Sequence, residues 1–176
     1  MKRTQKLLRE ANQLAIEGQY KKAWPLLMEA HELGDVEATY AVGTWYLFGR
    51  SVRQDLKKGV ALLGLAAKKG HGFAAYDYAV SLESGKGVRK DLKAALSWYQ
   101  KAARLGEKQS LAEIARFHYW GMGTKKDLKK AFQYFRKSAA SGDKESCQAL
   151  HRLYQNGEGV KRSERWANYW LLKSRD

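Results

Sequence analysis

Apolar and small residues recur along this chain on two scales, a short helical spacing and a long interval of 36 residues. Gly59, Leu62, Leu63 and Ala66 return as Ala95, Trp98, Tyr99 and Ala102, then as Ala131, Tyr134, Phe135 and Ser138, and finally as Ala167, Trp170, Leu171 and Ser174. Within each set the spacing puts all four side chains on one helical face, so each predicts an amphipathic helix. Asp55, Asp91, Asp127 and Ser163 stand just before these helices, where a side-chain oxygen can accept from the unpaired amides of the first turn. Gly70, Gly106 and Gly142 follow three of them and close them. A second helix precedes each of these. It carries small residues at Ala38, Ala74, Ser110 and Ser146 and larger ones at Val42, Tyr78, Ile114 and Leu150. A further small column, Gly43, Ala79 and Ala115, lets a neighbouring helix approach closely. His151 breaks it, which predicts a last helix pair sitting slightly apart. Glycines 34, 70, 106 and 142 and glycines 49, 85, 121 and 157 repeat with the same period, so the chain reads as stacked helix pairs.

Between the two helices of a copy runs a loop with two glycines, as in Gly85-Lys86-Gly87-Val88 and Gly157-Glu158-Gly159-Val160. No strand is predicted before it and no Lys-Ser or Lys-Thr follows it, so it reads as a structural turn and not a phosphate cradle. This loop, the Asp after it, and the ending Ala-Leu-Ser-Trp-Tyr-Gln-Lys-Ala-Ala-Arg-Leu-Gly at residues 95–106 resemble the Sel1-like repeat family, over residues 38–174. The resemblance implies an all-α fold, a right-handed superhelix of about five antiparallel helix pairs related to tetratricopeptide arrays. Its four repeats are expected at residues 35–70, 71–106, 107–142 and 143–176, within one domain spanning 1–176. Residues 1–34 keep the register through Tyr20, Ala23, Leu26, Leu27, Ala30 and Gly34, but with the short turn Glu17-Gly18-Gln19. They look like a tetratricopeptide unit capping the amino end. Pro25 lacks a backbone donor, which predicts a kink between Lys21 and Pro25.

Charge changes the picture more than composition does. Thirty-three Lys and Arg stand against 18 Asp and Glu, a formal net charge of +15, which favours acidic partners. A lone Cys147 excludes an internal disulfide framework, and no apolar run reaches the roughly 20 residues of a spanning helix. Arg9, Glu10 and Glu17 interrupt any secretion signal at the start, so a reducing cytoplasm is expected, with no membrane partner. The histidines at 31, 71, 118 and 151 occupy four different registers and form no metal set. Ser141-Gly142-Asp143-Lys144 is the one Ser-x-x-Lys match, and it spans a predicted turn. No acid, base and nucleophile come together, so neither an enzyme nor a cofactor site is expected.

Two surfaces remain as binding candidates. Arg53, Arg89, Lys125 and Lys161 share one position of the repeat, and Lys57, Lys93, Lys129 and Arg165 share another one turn on. They predict a basic ridge, densest at Lys125, Lys126, Lys129 and Lys130 in the third copy, which holds eight basic against three acidic residues. A solvated rim is the ordinary reading of such charges; the alternative is a face for nucleic acid or another polyanion. The resemblance implies a concave surface lined by the first helices. That places Tyr40, Thr44, Phe48, Phe73, Tyr76, Val80, Glu83, Gln109, Ala112, Arg116, Tyr119, Trp120, Gln148, Arg152 and Gln155 in a groove. For Phe48 and Trp120, core and contact roles stay open. Trp166, Tyr169 and Trp170 close the carboxyl end, where an uncovered face would suit a weak dimer in place of a monomer. The expected function is a non-catalytic adaptor holding a partner protein or peptide, with a bacterial immunity-type or regulatory partner as a special case.

Overall fold

The computed structural model describes residues 2–175. Residues 1 and 176, the outer limits of the expected cap and fourth copy, lie outside the described residues. Ten helices follow one another, with no strand among the described residues: α1 (Lys2–Ile16), α2 (Tyr20–Glu32), α3 (Val36–Phe48), α4 (Leu56–Lys68), α5 (Gly72–Ser84), α6 (Leu92–Arg104), α7 (Ser110–Trp120), α8 (Leu128–Ala139), α9 (Lys144–Asn156) and α10 (Glu164–Lys173). They form two compact units, the first running to Lys90 and the second starting at Asp91. The first holds α1 to α5 and the second α6 to α10.

The expected caps are in place. Asp55, Asp91 and Asp127 each accept from an amide three residues on at 2.9 Å, and Ser163 accepts from Trp166 at 3.4 Å. The first helices are capped as well, by Asp35, His71 and Asp143, which sit in one register of the 36-residue period. At α7 the series fails, because Glu107 stands in that register and the helix starts late, after Gln109, without a side-chain cap. Helix α2 runs unbroken through Pro25, whose absent donor costs it one backbone bond without ending it.

Close helix approach explains the small columns. A Cβ on Gly43 would meet Leu62 Cβ at 3.1 Å and Gly59 O at 3.2 Å, so α3 and α4 cross almost backbone to backbone. In the second unit Ala115 and Ala131 hold the equivalent places, both fully buried. In the last pair the equivalent of Gly43 is His151, half-buried, with Nδ1 3.0 Å from the Ala167 carbonyl. A polar bond thus joins α9 to α10 where the other pairs rely on small size.

The second-helix face is not uniformly core. Ala95, Tyr99 and Ala102 are buried, as are Gly59, Leu63 and Ala66, whereas Leu62, Trp98, Tyr134 and Trp170 are only half-buried. Lys101 lies over the Trp98 ring at 4.6 Å, shielding its open side. Tyr99 meets Phe117 edge-on at 5.5 Å inside the second unit, and Trp24 stacks on Trp45 at 5.7 Å inside the first. Burial of each such ring contributes about 1.5–3 kcal/mol.

The second loop glycine docks on the preceding repeat. A Cβ on Gly87 would lie 2.5 Å from Leu56 O, and one on Gly123 or Gly159 would collide with Leu92 or Leu128 in the same way. All three have positive φ, so both backbone shape and lack of side chain are required. In the first copy Ser51 stands there at φ 53, the one non-glycine with positive φ among the described residues.

Candidate partner-binding cleft

Helices α7 and α9, first helices of successive repeats in the second unit, run side by side and leave a cleft of about 350 Å³ between them. Its walls include Ala112, Glu113, Arg116, Tyr119 and Trp120 from α7, and Ser146, Ala149, Arg152 and Asn156 from α9, with Asp143 and Glu145 at the start of the latter. Tyr119, near the end of α7, donates to Glu158, just past the end of α9, at 2.8 Å and ties the two ends together. That bond, with burial and the Glu158 charge, raises the Tyr119 phenol above its ordinary range. Arg116 donates twice to one oxygen of Glu113, at 2.9 and 2.6 Å, and its third nitrogen points at Met122 Sδ. The pair holds the guanidinium in a fixed plane along the cleft wall. Trp120 is 66% exposed and meets Tyr119 edge-on at 4.8 Å. An exposed ring of this size, braced by a second ring, is a contact surface of high yield.

Of the groove residues expected from sequence, the fold brings Ala112, Arg116, Tyr119, Trp120 and Arg152 into this cleft. Gln109, Gln148 and Gln155 are exposed elsewhere on the same unit. In the first unit Thr44, Phe48 and Val80 line a separate apolar cleft of about 560 Å³ between α3 and α5, together with Leu47, Leu56, Asp77 and Lys86. Phe48 is 71% exposed, so both aromatics left open between core and contact face outward. Phe73 is exposed too. Tyr40 instead belongs to a network: its ring stacks on His71 at 4.4 Å and its hydroxyl donates to Asp77 at 3.0 Å. Burial pushes the Asp77 carboxyl up, against the pull of Tyr40 and His71. Tyr76 and Glu83 are half-buried and engaged with neighbours.

All ten ridge residues, Arg53, Lys57, Arg89, Lys93, Lys125, Lys126, Lys129, Lys130, Lys161 and Arg165, are exposed. Lys130 is tied to Asp127 at 3.6 Å and Lys126 lies over the Tyr119 ring at 5.7 Å. The amide of Lys130 holds the Asp127 carboxyl below its ordinary range. At the carboxyl end, Trp166 and Tyr169 are exposed while Trp170 packs against the Leu150 and Leu153 cluster. Sequence reasoning missed Glu113, Asp143, Glu145 and Asn156. Two signals pointed to them: Glu113 lies one turn before Arg116, and Asp143 repeats the capping position of Asp35. No three His, Cys, Asp or Glu side chains converge as a metal site among the described residues. No helix among them is long and apolar enough to cross a membrane.

The Sel1 repeat model matches residues 36–71, 72–107, 108–143 and 149–176, the first three one residue later than the glycine period suggests and the fourth starting inside α9. The chain belongs to the Sel1 repeat family. Solved structures agree with this. A Sel1 repeat protein from Oxalobacter formigenes superposes with a TM-score of 0.84 at 30% identity, over 88% of this chain and 64% of that one. A protective antigen of uropathogenic Escherichia coli with an SLR fold gives 0.88 at 26% identity, over 98% of this chain and 40% of that one. An immunity protein from Pseudomonas aeruginosa gives 0.55 at 20%, over 97% of this chain and 64% of that one. This Sel1 chain therefore spans under two thirds of the length of each. Among curated proteins nothing matches significantly. The fold is an all-α solenoid of Sel1 helix pairs. Repeats of this family generally serve as non-catalytic scaffolds for protein–protein interaction.

Proposed function

We propose that this chain is an adaptor that holds a segment of another protein in the cleft between α7 and α9. The observation that carries this reading is Trp120, two-thirds exposed at the rim of a concave site whose walls also present Tyr119, Arg116 and Arg152. Interfaces draw most of their affinity from such aromatic and arginine anchors. The immunity-type partner gains nothing from the Pseudomonas neighbour, because at 20% identity only the fold is shared. Trp120→Ala should weaken partner capture at least about tenfold, as expected of a hot spot, while changing stability by less than about 0.5 kcal/mol. The measurements are affinity by titration and the urea midpoint. Unchanged affinity with an intact fold removes the cleft as the site. A second reading, polyanion binding by the ridge, is favoured by the exposure of all ten of its cations.

A further inference from the structure

The outer side of α10 departs from the pattern of the other second helices. Where earlier copies place Lys58, Ala94 and Lys130, α10 carries Trp166, and where they place Ala61, Ser97 and Gln133 it carries Tyr169. Leu172 takes the register of Gly64, Gln100 and Arg136. All three large side chains are exposed. Arg165 and Lys173, exposed as well, fall among them at three- and four-residue steps, so rings and cations interleave on one face. The rings are braced from within. Phe132 of α8 meets Tyr154 of α9 edge-on at 5.3 Å, Tyr154 stacks on Trp166 at 6.2 Å, and Tyr169 stands edge-on to Trp166 at 5.5 Å. The basic ridge adjoins this face. A Cβ on Gly159 would strike Leu128, so the loop before α10, with Lys161 and Arg162, rests on the start of α8, where Lys129 and Lys130 stand. Residues 125–130 and 158–173 together hold eight cations and three acids, and each of those acids is engaged. Asp127 caps α8 and is tied to Lys130, Glu158 accepts from Tyr119, and Glu164 lies 3.5 Å from Arg162.

We infer that the carboxyl end of the ridge takes single-stranded nucleic acid, with bases stacked on Trp166 and Tyr169 and the flanking phosphates on Arg165, Lys161 and Lys129. The inference rests on the ridge being a polyanion site, and it names the polyanion. Cations alone serve any polyanion, whereas rings set among cations match a chain that alternates flat bases with phosphates. A duplex keeps its base faces stacked inside and offers them to no ring. A second copy of this chain fits poorly, because pairing α10 with itself in either direction sets Arg165 and Lys173 against like charges. A lipid surface fits poorly too. Helices that lie in one keep apolar and charged sides apart, whereas Arg165 falls between Tyr169 and Leu172 around α10.

The probes are a labelled oligothymidine strand of about 15 nucleotides, its duplex with oligoadenine, and heparin, each titrated against the full chain over a range of salt. The strand should bind at least about tenfold tighter than the duplex, the gain expected of one or two stacked bases. The deciding variant is Trp166→Lys, which installs the residue type that Lys58 and Lys130 already hold in this register and should leave the helical circular-dichroism spectrum unchanged. Charge alone predicts that this variant binds every polyanion as well as before or better. Stacking predicts that it binds the strand at least about fivefold more weakly while heparin binding does not fall, and that Trp166→Phe keeps most of the strand affinity. Strand binding that survives Trp166→Lys, or a duplex bound as tightly as the strand, overturns the stacking site and leaves the ridge reading intact. Capture of phosphatidylserine vesicles or of a leucine-glutamate peptide that depends on Trp166, with no such dependence for the strand, overturns it as well. If neither strand nor heparin is bound, or if reversing Lys125, Lys126, Lys129 and Lys130 changes neither affinity, the ridge reading and the stacking site both fall.

Discussion

A single methyl group separates two kinds of glycine in this repeat. Gly106 closes α6 with open space around its would-be Cβ, whereas Gly159 sits against the backbone of Leu128. Gly106→Ala should therefore cost only the left-handed strain, about 1–2 kcal/mol. Gly159→Ala adds a backbone collision and should cost about 3 kcal/mol or more. Urea midpoints of the two variants test this, and equal losses contradict the docking role of the loop. Titratable residues add a pH dependence of defined sign. Burial holds His118 below the ordinary imidazole range, with its ring stacked on Tyr134 at 5.9 Å, and holds His31 down too. The unfolded chain then takes up protons that the folded chain refuses. Stability is full above about pH 6.5 and declines as pH falls from there toward the depressed folded values. Asp77 acts with opposite sign: its raised carboxyl returns some stability as pH falls through its folded value toward about 3.9. The urea midpoint should drop between about pH 7 and 5.5, and His118→Phe, which keeps the stack, should remove part of the drop. A midpoint unchanged across that window in the parent protein contradicts the account.

At the scale of the helix, caps and charges are set by different demands. The second helices carry lysines in their first turns, as in Lys57 and Lys58 or Lys129 and Lys130, where the helix dipole disfavours cations. Asp55 and Asp127 offset this, since each carboxylate both pairs a free amide and supplies a local counter-charge. Asp127→Ala should cost about 1 kcal/mol, within the roughly 0.5–2 kcal/mol of cap losses, read as a shift in thermal midpoint. Asp127→Asn should recover most of the cap bond but not the charge contribution. These caps were legible because an Asp before a periodic apolar run needs only local chemistry to act. His71 was not legible as a cap. It performs that role through Nδ1, accepting from Ala74 at 3.0 Å, while Nε2 lies 2.9 Å from Glu37. That second bond joins two repeats and exists only once α3 and α5 are stacked.

At the scale of the molecule, the positive charge lies mostly on the second helices of the repeats. The ridge near Lys125, Lys126, Lys129 and Lys130 is where the proposed polyanion reading is tested. Reversing those four charges should weaken binding of a model polyanion such as heparin. Its log-salt slope should flatten by about 0.9 for each phosphate-like group no longer neutralised, using the nucleic-acid coefficient as a guide. Binding with the original slope in the reversed variant places any polyanion site elsewhere. If the α7–α9 cleft holds a protein segment through the rings of Tyr119 and Trp120, as proposed, that capture should vary much less with salt.

The linear sequence determined the period, the starts and caps of the second helices, and the family, because each depends on residues within a turn or two or on their repetition at fixed distance. Tertiary stacking alone decided that Leu62, Trp98, Tyr134 and Trp170 stay half-open, and that Gly87, Gly123 and Gly159 rest on the previous repeat. It also drew Glu113, Asp143 and Glu145 together around one cleft. Helical periodicity says which side chains share a face of their own helix. What that face meets is settled only when residues some 36 positions apart are brought together.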